Sequence, residues 1–408
     1  MKSLDNKKIS FLEKIFLILV FLQTGTALTI DFSFLGYLII TIFILMIIFK
    51  KISFNNAGRM GLFIIVMLLF YITQVIFNES GSINLLNLLK HASLFAMVFL
   101  YASSKVGTNR LKFNYIIRLI VLFSLISNTL FVLYLFGFNL PITNTIVHNS
   151  TSVFYLLTIH YDKLYGIFNY RNGGIYWEPG MYQIYLNLAI IYFLYEKNLS
   201  SKKRILILTY LVVSVISTGS ITGYFLCVAI FILYTFFNNK SLVTKILLGT
   251  LAIVSLVVVL PYLGNMYEVK LTTASYDHRS SDLNFGFRFF LTNPITGYGP
   301  NSDAYYNAYL MYFGSSRGNT NGLVSILIDF GLIGAIIYTY LFIAFISFFS
   351  KSYGKNSALL IISWLVLSFL TEPINTHTLI YFILAIGMAN RISVSNQNNQ
   401  LRRNINGK

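Results

Sequence analysis

The chain has 408 residues, 56% of them hydrophobic and 11% charged, with a mean hydropathy of +0.70. Soluble globular chains carry roughly 25% charged residues, so the composition excludes a soluble domain and indicates an integral membrane protein. A formal charge of +17 would also suit a nucleic-acid binder, but the cations sit between apolar segments instead of forming a basic face, which excludes that class.

The amino terminus, MKSLDNKKISFLEKIFLILVFLQ, has a basic start and an apolar run without a small-residue cleavage site, and reads as a retained first helix. Apolar segments long enough to cross a hydrocarbon layer of roughly 30 Å fall at 13–30, 33–49, 60–77, 83–101, 115–137, 181–195, 204–219, 221–237, 244–261, 321–349, 357–371 and 375–390. The expected fold is therefore all-α and polytopic, with about twelve transmembrane helices. The one cysteine, Cys227, lies inside an apolar run, so no internal disulfide and no cysteine metal cluster is expected.

Cytoplasmic loops collect Lys and Arg next to the spans. With both termini inside, 22 of the 30 cations fall on the cytoplasmic side, Lys90 and Arg118 fall within spans, and six face out: Lys163, Arg171, Lys270, Arg279, Arg288 and Arg317. The acidic residues distribute the other way. Two long connections, 138–180 and 262–320, then lie outside, and connections of such length in a compact protein are usually functional. No Gly/Ser linker or internal repeat divides the chain, so residues 1–408 form a single membrane domain, with 392–408 as a flexible polar cytoplasmic tail.

The first outer connection ends in NYRNGGIYWEPGM, 169–181. Gly173 and Gly174 permit positive φ or close backbone approach, and Pro179-Gly180 is a turn signal that starts the next span. Glu178 would stand at the mouth of that helix, where the dipole favours its charge; the plainer alternative is that it only begins the helix while Arg171 pairs with it. The second outer connection carries three arginines, His278 and many tyrosines. Its FGFRFFLTNP stretch, 285–294, reads as an interfacial amphipathic helix ended by Asn293-Pro294, and GYGPN, 297–301, as a turn with the backbone freedom of a ligand approach. External arginines run against the charge bias, and arginine recognises diphosphate through paired N–H donors; lipid headgroups or tyrosines are the alternative partners. Two short external turns, STGSITG (217–223) and TEPINTH (371–377), add small hydroxyl residues and a second carboxylate before a proline. The five histidines show no metal-ligand spacing, and no nucleotide-binding glycine motif is present.

Taken together, Arg-x-x-Gly and Glu-Pro-Gly within Arg171 to Gly180, Ser-Thr-Gly-Ser at 217–220, NPITGYGP at 293–300 and NGLVSILIDFGLIGAIIY at 321–338 resemble the O-antigen polymerase and O-antigen ligase superfamily of bacterial polysaccharide assembly. An Arg-x10-Gly pattern typical of family polymerases fits Arg288 with Gly299; it does not fit Arg171, because position 182 is Tyr. The resemblance implies a glycosyltransferase-C-like helical enzyme, independent of metal and nucleotide cofactors, on the outer face of the bacterial cytoplasmic membrane. It would join polyprenyl-diphosphate-linked oligosaccharide repeat units into O-antigen or capsular polysaccharide, amid membrane lipids, with a flippase and a chain-length regulator of the same pathway as candidate partners and no nucleic acid.

In that reading Arg171 and Arg288 bind the diphosphate and stabilise charge as it leaves, and Glu178 or His278 removes the proton from the attacking hydroxyl. Trp177 and some of Tyr176, Tyr298, Tyr305 and Tyr306 line the sugar path beside Gly299, with Arg279 and Arg317 as further phosphate contacts. The rival within the superfamily is a ligase moving finished polymer to another acceptor. A lipid-linked glycan flippase is the rival outside it; transporters place ionisable residues within spans, where this chain has only Lys90, His91, Arg118 and Asp329.

Overall fold

The computed structural model describes residues 9–31, 34–49, 57–77, 85–104, 108–141, 143–144, 151–154, 156–161, 170–238, 274–300, 302–314 and 318–406. The expected span at 244–261, together with Lys163, Lys270 and Arg317, lies outside them, and of His278 and Arg279 only the backbone is described. The protein is a mostly helical, polytopic membrane protein. Its helices are α1 (Phe11–Leu22), α2 (Leu28–Asp31), α3 (Leu35–Ile48), α4 (Ala57–Phe77), α5 (Leu85–Ser103), α6 (Asn109–Leu135), α7 (Pro179–Tyr195), α8 (Ser201–Ser217), α9 (Ile221–Asn238), α10 (Ala274–Phe290), α11 (Asp303–Phe313), α12 (Gly322–Tyr353), α13 (Ser357–Thr371) and α14 (Thr378–Asn406). Among the described residues, stretches of α4, α6, α9 and α12 are long and apolar enough to cross a bilayer; α3, α5, α13 and part of α14 are shorter apolar helices.

The bundle is organised around α7, every residue of which is buried. A helix apolar on all sides belongs in the centre of a bundle, and its two amides meet there: Asn187 Nδ2 donates to Gln183 Oε1 (3.0 Å) and to the Gly223 carbonyl of α9 (3.3 Å). Trp364 of α13 donates from Nε1 to the Ile184 carbonyl (2.8 Å). On the other flank the first half of α14 is buried against α12, where a side chain on Gly387 would stand 2.5 Å from the Phe345 backbone, the close approach that small residues allow between membrane helices.

The two ends of the bundle differ in chemistry. At one end, the buried Lys112 ammonium donates to the Tyr101 carbonyl (2.8 Å) and to Ser104 Oγ (3.2 Å), closing the C-terminus of α5. Arg110 approaches Glu196 at 3.9 Å, and Arg391 lies over the Tyr340 ring. This is the end where the sequence concentrates its cations. The opposite end gathers the C-termini of α1, α6, α8 and α13, the N-termini of α7, α9, α12 and α14, and the glycine- and carboxylate-bearing turns between them.

Four expectations are corrected. The first span is not one helix over 13–30: α1 stops at Leu22, Gly25 takes φ 60°, and the turn is pinned by Trp177 N–H on the Gly25 carbonyl (3.3 Å) and Ala27 N–H on the Ile175 carbonyl (2.9 Å). The all-α expectation misses a four-stranded antiparallel sheet in the connection 138–180, ordered β1 (Thr143–Asn144), β2 (Thr151–Phe154), β3 (Leu157–Tyr161), β4 (Tyr170–Gly174). Its Leu157 and Ile159 pack on Phe131 of α6. The amphipathic helix is longer and earlier than 285–294: α10 begins at Ala274 and ends at Phe290, ahead of Asn293-Pro294. The polar tail is helical to Asn406, since no glycine or proline interrupts it between Gly387 and Gly407.

One interruption places the site. Helix α12 breaks at Gly331 (φ 61°, ψ −162°), and the NPITGYGP turn fills the break with backbone. Tyr298 and Gly299 N–H donate to the carbonyls of Ile328 (2.8 Å) and Asp329 (2.9 Å), and Leu332 N–H donates to that of Pro294 (2.8 Å). The fit depends on Gly297, where a Cβ would lie 2.6 Å from three backbone atoms of the broken helix. Irregular backbone at membrane depth is tolerated when it is satisfied in this way within the protein.

Candidate functional site

The opening motif forms strand β4 and the turn into α7. Gly174 takes φ 62° and lets the Tyr182 ring come within 2.9 Å of where a Cβ would stand. Arg171, half-buried, pairs across strands with His160 and donates from Nε to the Thr218 carbonyl (3.1 Å) in the Ser-Thr-Gly-Ser turn between α8 and α9. Gly219 in that turn leaves room for the Arg171 side chain, whose Cγ would lie 3.0 Å from an added Cβ. Two motifs 47 residues apart thus form one structure. Beside them the buried Asn172 donates to Asn128 Oδ1 (2.6 Å) and Ser217 Oγ (3.2 Å) and accepts from Gly174 N–H (2.8 Å). Asn128 in turn donates to Tyr210 and Ser214. The network fixes β4 on α6 and α8.

Glu178 is the N-cap residue of α7 with Pro179 in its first turn, the expected helix start, and its carbonyl accepts from Met181 and Tyr182 N–H. Trp177 is half-buried, its carbonyl facing His160 Nε2 at 2.8 Å. Tyr176 is closed off, 1% exposed, with its ring stacked on Tyr185 at 4.9 Å. Burial pushes its phenol well above the ordinary tyrosine range. Its place is beneath the motif, which corrects the expectation of a ring along an open sugar path.

The second carboxylate-before-proline turn comes to the same helix mouth. The buried Glu372 carboxylate stands where a side chain on Gly180 would be, and its carbonyl stands against Gly322 at the start of α12. Next along, the His377 imidazole meets the Tyr185 hydroxyl at Nδ1 (3.2 Å) and packs on Gly25. Burial first, and the charge of His91 second, push its pKa down to about 4.

Between this turn and the break in α12 lies a pocket of about 210 Å³, whose lining includes Tyr306, Asn319, Ser325, Asp329, Asn375 and His377. Asn375 Nδ2 donates to Asp329 Oδ2 (2.7 Å). Gln74 of α4 donates to the Asp329 carbonyl (2.7 Å) and that of Thr296 (2.6 Å), tying the pocket floor to the inserted turn. Burial, with the charges of Asp329 and Asp303 behind it, raises the Tyr306 phenol. Asn319 donates to the Tyr305 hydroxyl (3.2 Å) and to the Asp282 carbonyl (2.8 Å).

Arg288 takes a different position. It is exposed on α10, on the wall of an open groove of about 590 Å³ shared with Phe285, Phe289, Ala308, Tyr312 and Phe313. Tyr298 stacks on Phe289 at 4.6 Å and meets Thr292 with its hydroxyl (2.7 Å). Gly299, with φ 86°, is packed on α12. The structure therefore brings Arg171, Trp177 and Glu178 together at the mouth of α7 and seats Tyr298 and Gly299 at the break in α12, while Arg288 lines the separate groove of α10. His278 and Arg279 lie on α10 by backbone. Sequence reasoning missed Gln74 and Asn375, and weighed Asp329 only as a transport residue. The available signal was a lone carboxylate in an apolar helix, which is a functional marker by default.

Residues 205–339, from α8 to past the break in α12, match the family model described as O-antigen ligase, so this stretch carries an O-antigen ligase family domain. No curated protein matches the chain.

Proposed function

With residues 205–339 as an O-antigen ligase family domain, we propose that the protein is a glycosyltransferase that joins polyprenyl-diphosphate-linked repeat units into an envelope polysaccharide on the outer face of the bacterial cytoplasmic membrane. About twelve spans, a glycosyltransferase-C-like arrangement and cytoplasmic termini belong to this reading. The observation that carries it is the meeting of Arg171 with the Ser-Thr-Gly-Ser turn at the mouth of α7, on the end of the bundle opposite the cation-rich one.

Arg171 holds the donor diphosphate, and Arg288 meets it from the groove of α10. Arg171 supplies N–H donors to oxygen atoms whose charge grows as the bond to the sugar breaks, and Arg288 gathers the charged donor. Trp177, Tyr298 and Tyr306 offer ring faces to the glycan; Glu178 or His278 is the candidate proton acceptor from the opening motif and α10. The diphosphate already activates the anomeric carbon, so the reaction needs no nucleotide. Arg279 and Arg317 add phosphate contacts.

The described family name favours a second reading, transfer of finished polymer to another acceptor. A deletion strain decides between them: loss of the glycan ladder with single repeats still attached marks a polymerase, and loss of all attached glycan marks a ligase. An unchanged surface glycan overturns both.

A further inference from the structure

The pocket at the break in α12 contains chemistry that the arginines and Glu178 do not account for. Asp329 is the one carboxylate of α12. It stands in the last turn before Gly331, at the negative end of a half-helix dipole, and among the described residues no cationic side chain pairs with it. A carboxylate placed in a bundle without a cation or a favourable dipole costs stability, and here the chain adds to that cost by breaking a membrane helix beside it. The neighbours do not neutralise it; they hold it. Asn375 fixes one oxygen and Gln74 fixes the backbone behind it, while hydroxyl, amide and phenol groups from α11, α12 and the turn before α14 surround the space in front. Amides, hydroxyls and the rings of Tyr305 and Tyr306 around a single carboxylate suit a sugar ring, and the volume is of the order of one such ring.

We propose that this pocket receives the terminal sugar of the acceptor glycan and that Asp329 is the base that takes the proton from its attacking hydroxyl. The assignment rests on the glycosyl-transfer reading and refines it: Glu178 stands at the mouth of α7, outside the lining of this pocket, whereas Asp329 faces the space. In the step, the acceptor oxygen bonds to the donor anomeric carbon as the carbon–oxygen bond to diphosphate breaks. The electron pair leaves with the polyprenyl diphosphate, and the acceptor proton passes to the Asp329 carboxylate. Tyr306 packs on the acceptor ring, and Asn375 keeps the carboxylate aimed.

The test uses full-length protein in liposomes, lipid-linked repeat units extracted from a strain lacking it, and the oligosaccharide released from them by mild acid. Asp329→Asn, which keeps the shape, is expected to lower chain joining about 100-fold or more while binding the free oligosaccharide as the wild type does. Tyr306→Ala is expected to weaken that binding about 10-fold. Asp329→Glu, which keeps a carboxylate one methylene farther out, serves if the asparagine variant does not insert, with an expected loss of about 10-fold. A rate within threefold of wild type in whichever aspartate variant inserts, or unchanged oligosaccharide binding in Tyr306→Ala, overturns the assignment and leaves the transfer reading standing. If the wild type joins no units, the transfer reading fails and the base role falls with it.

Discussion

The two long connections, 138–180 and 262–320, both bring an arginine to the same end of the bundle, and they build around it in opposite ways. Arg171 lies in a strand, with its Nε on the Thr218 carbonyl and a buried amide network one residue away. Arg288 stands exposed on a helix above an aromatic groove. Electrostatic stabilisation is most effective when the donor is held in place before the reaction and nothing must reorganise during it. A mobile exposed cation contributes more to gathering a charged substrate, an effect that salt screens. In the proposed reading Arg171 thus serves the chemistry and Arg288 the capture.

This contrast breaks most sharply at Arg171. Arg171→Ala is expected to lower chain joining about 10²- to 10³-fold, and Arg171→Lys to recover little of it, because an ammonium cannot bond Thr218 through Nε while presenting a planar fork to phosphate. Rates measured on lipid-linked repeat units check this; a lysine variant near wild type would put Arg171 on a par with a simple surface charge. Asn172→Ala comes next. It removes the acceptor of Gly174 N–H and a donor to Asn128, a buried loss of about 1–3 kcal/mol. The thermal midpoint in detergent should fall, and the rate about 10-fold, with Arg171 itself still present. An unchanged rate would mean that Arg171 is held without its network.

Arg288→Ala sharpens the other side. The apparent KM for lipid-linked donor should rise about 3- to 10-fold with kcat little changed, and the salt dependence of kcat/KM should flatten. A loss in kcat equal to that of Arg171→Ala would erase the distinction between the loops.

Much of the first loop's role is legible in the sequence, because its signals are local: glycines that need positive φ, a proline at a helix start, an arginine where the charge bias is against it. The sheet that carries Arg171 is not, since strands of two to five residues gain their stability from packing Leu157 and Ile159 on α6 and leave little periodicity to read. The break in α12 is hidden for a related reason. Gly331 looks like an ordinary small residue in a span, and only the backbone bonds from Tyr298, Gly299 and Leu332, made across some thirty residues of sequence, convert it into a kink. Asp329 shares that concealment: its isolation in an apolar run is visible, but the residues that hold it are Asn375, in the turn before α14, and Gln74, near the end of α4. The aromatic stretch at 285–290 is only the last third of α10, so the sequence pattern alone puts that helix too late in the chain.

The smallest effect concerns the turn that closes the site between the two loops. The His377 imidazole, ordinarily near 6.5, is pushed down to about 4 by burial and then by His91. Between those values an unfolded chain binds a proton that the folded one refuses, so stability rises with pH across this window: it is fully present above about 6.5 and is lost as pH falls toward 4, with a ceiling of about 3 kcal/mol. Thermal midpoints in detergent should therefore drop by several degrees between pH 6.5 and 4.5 in the wild type. His377→Gln, which keeps a group able to meet the Tyr185 hydroxyl, should lose part of that slope while Arg288→Ala keeps all of it. Equal slopes in the wild type and His377→Gln would mean that protonation of this turn is not what loosens the closed end of the bundle in acid.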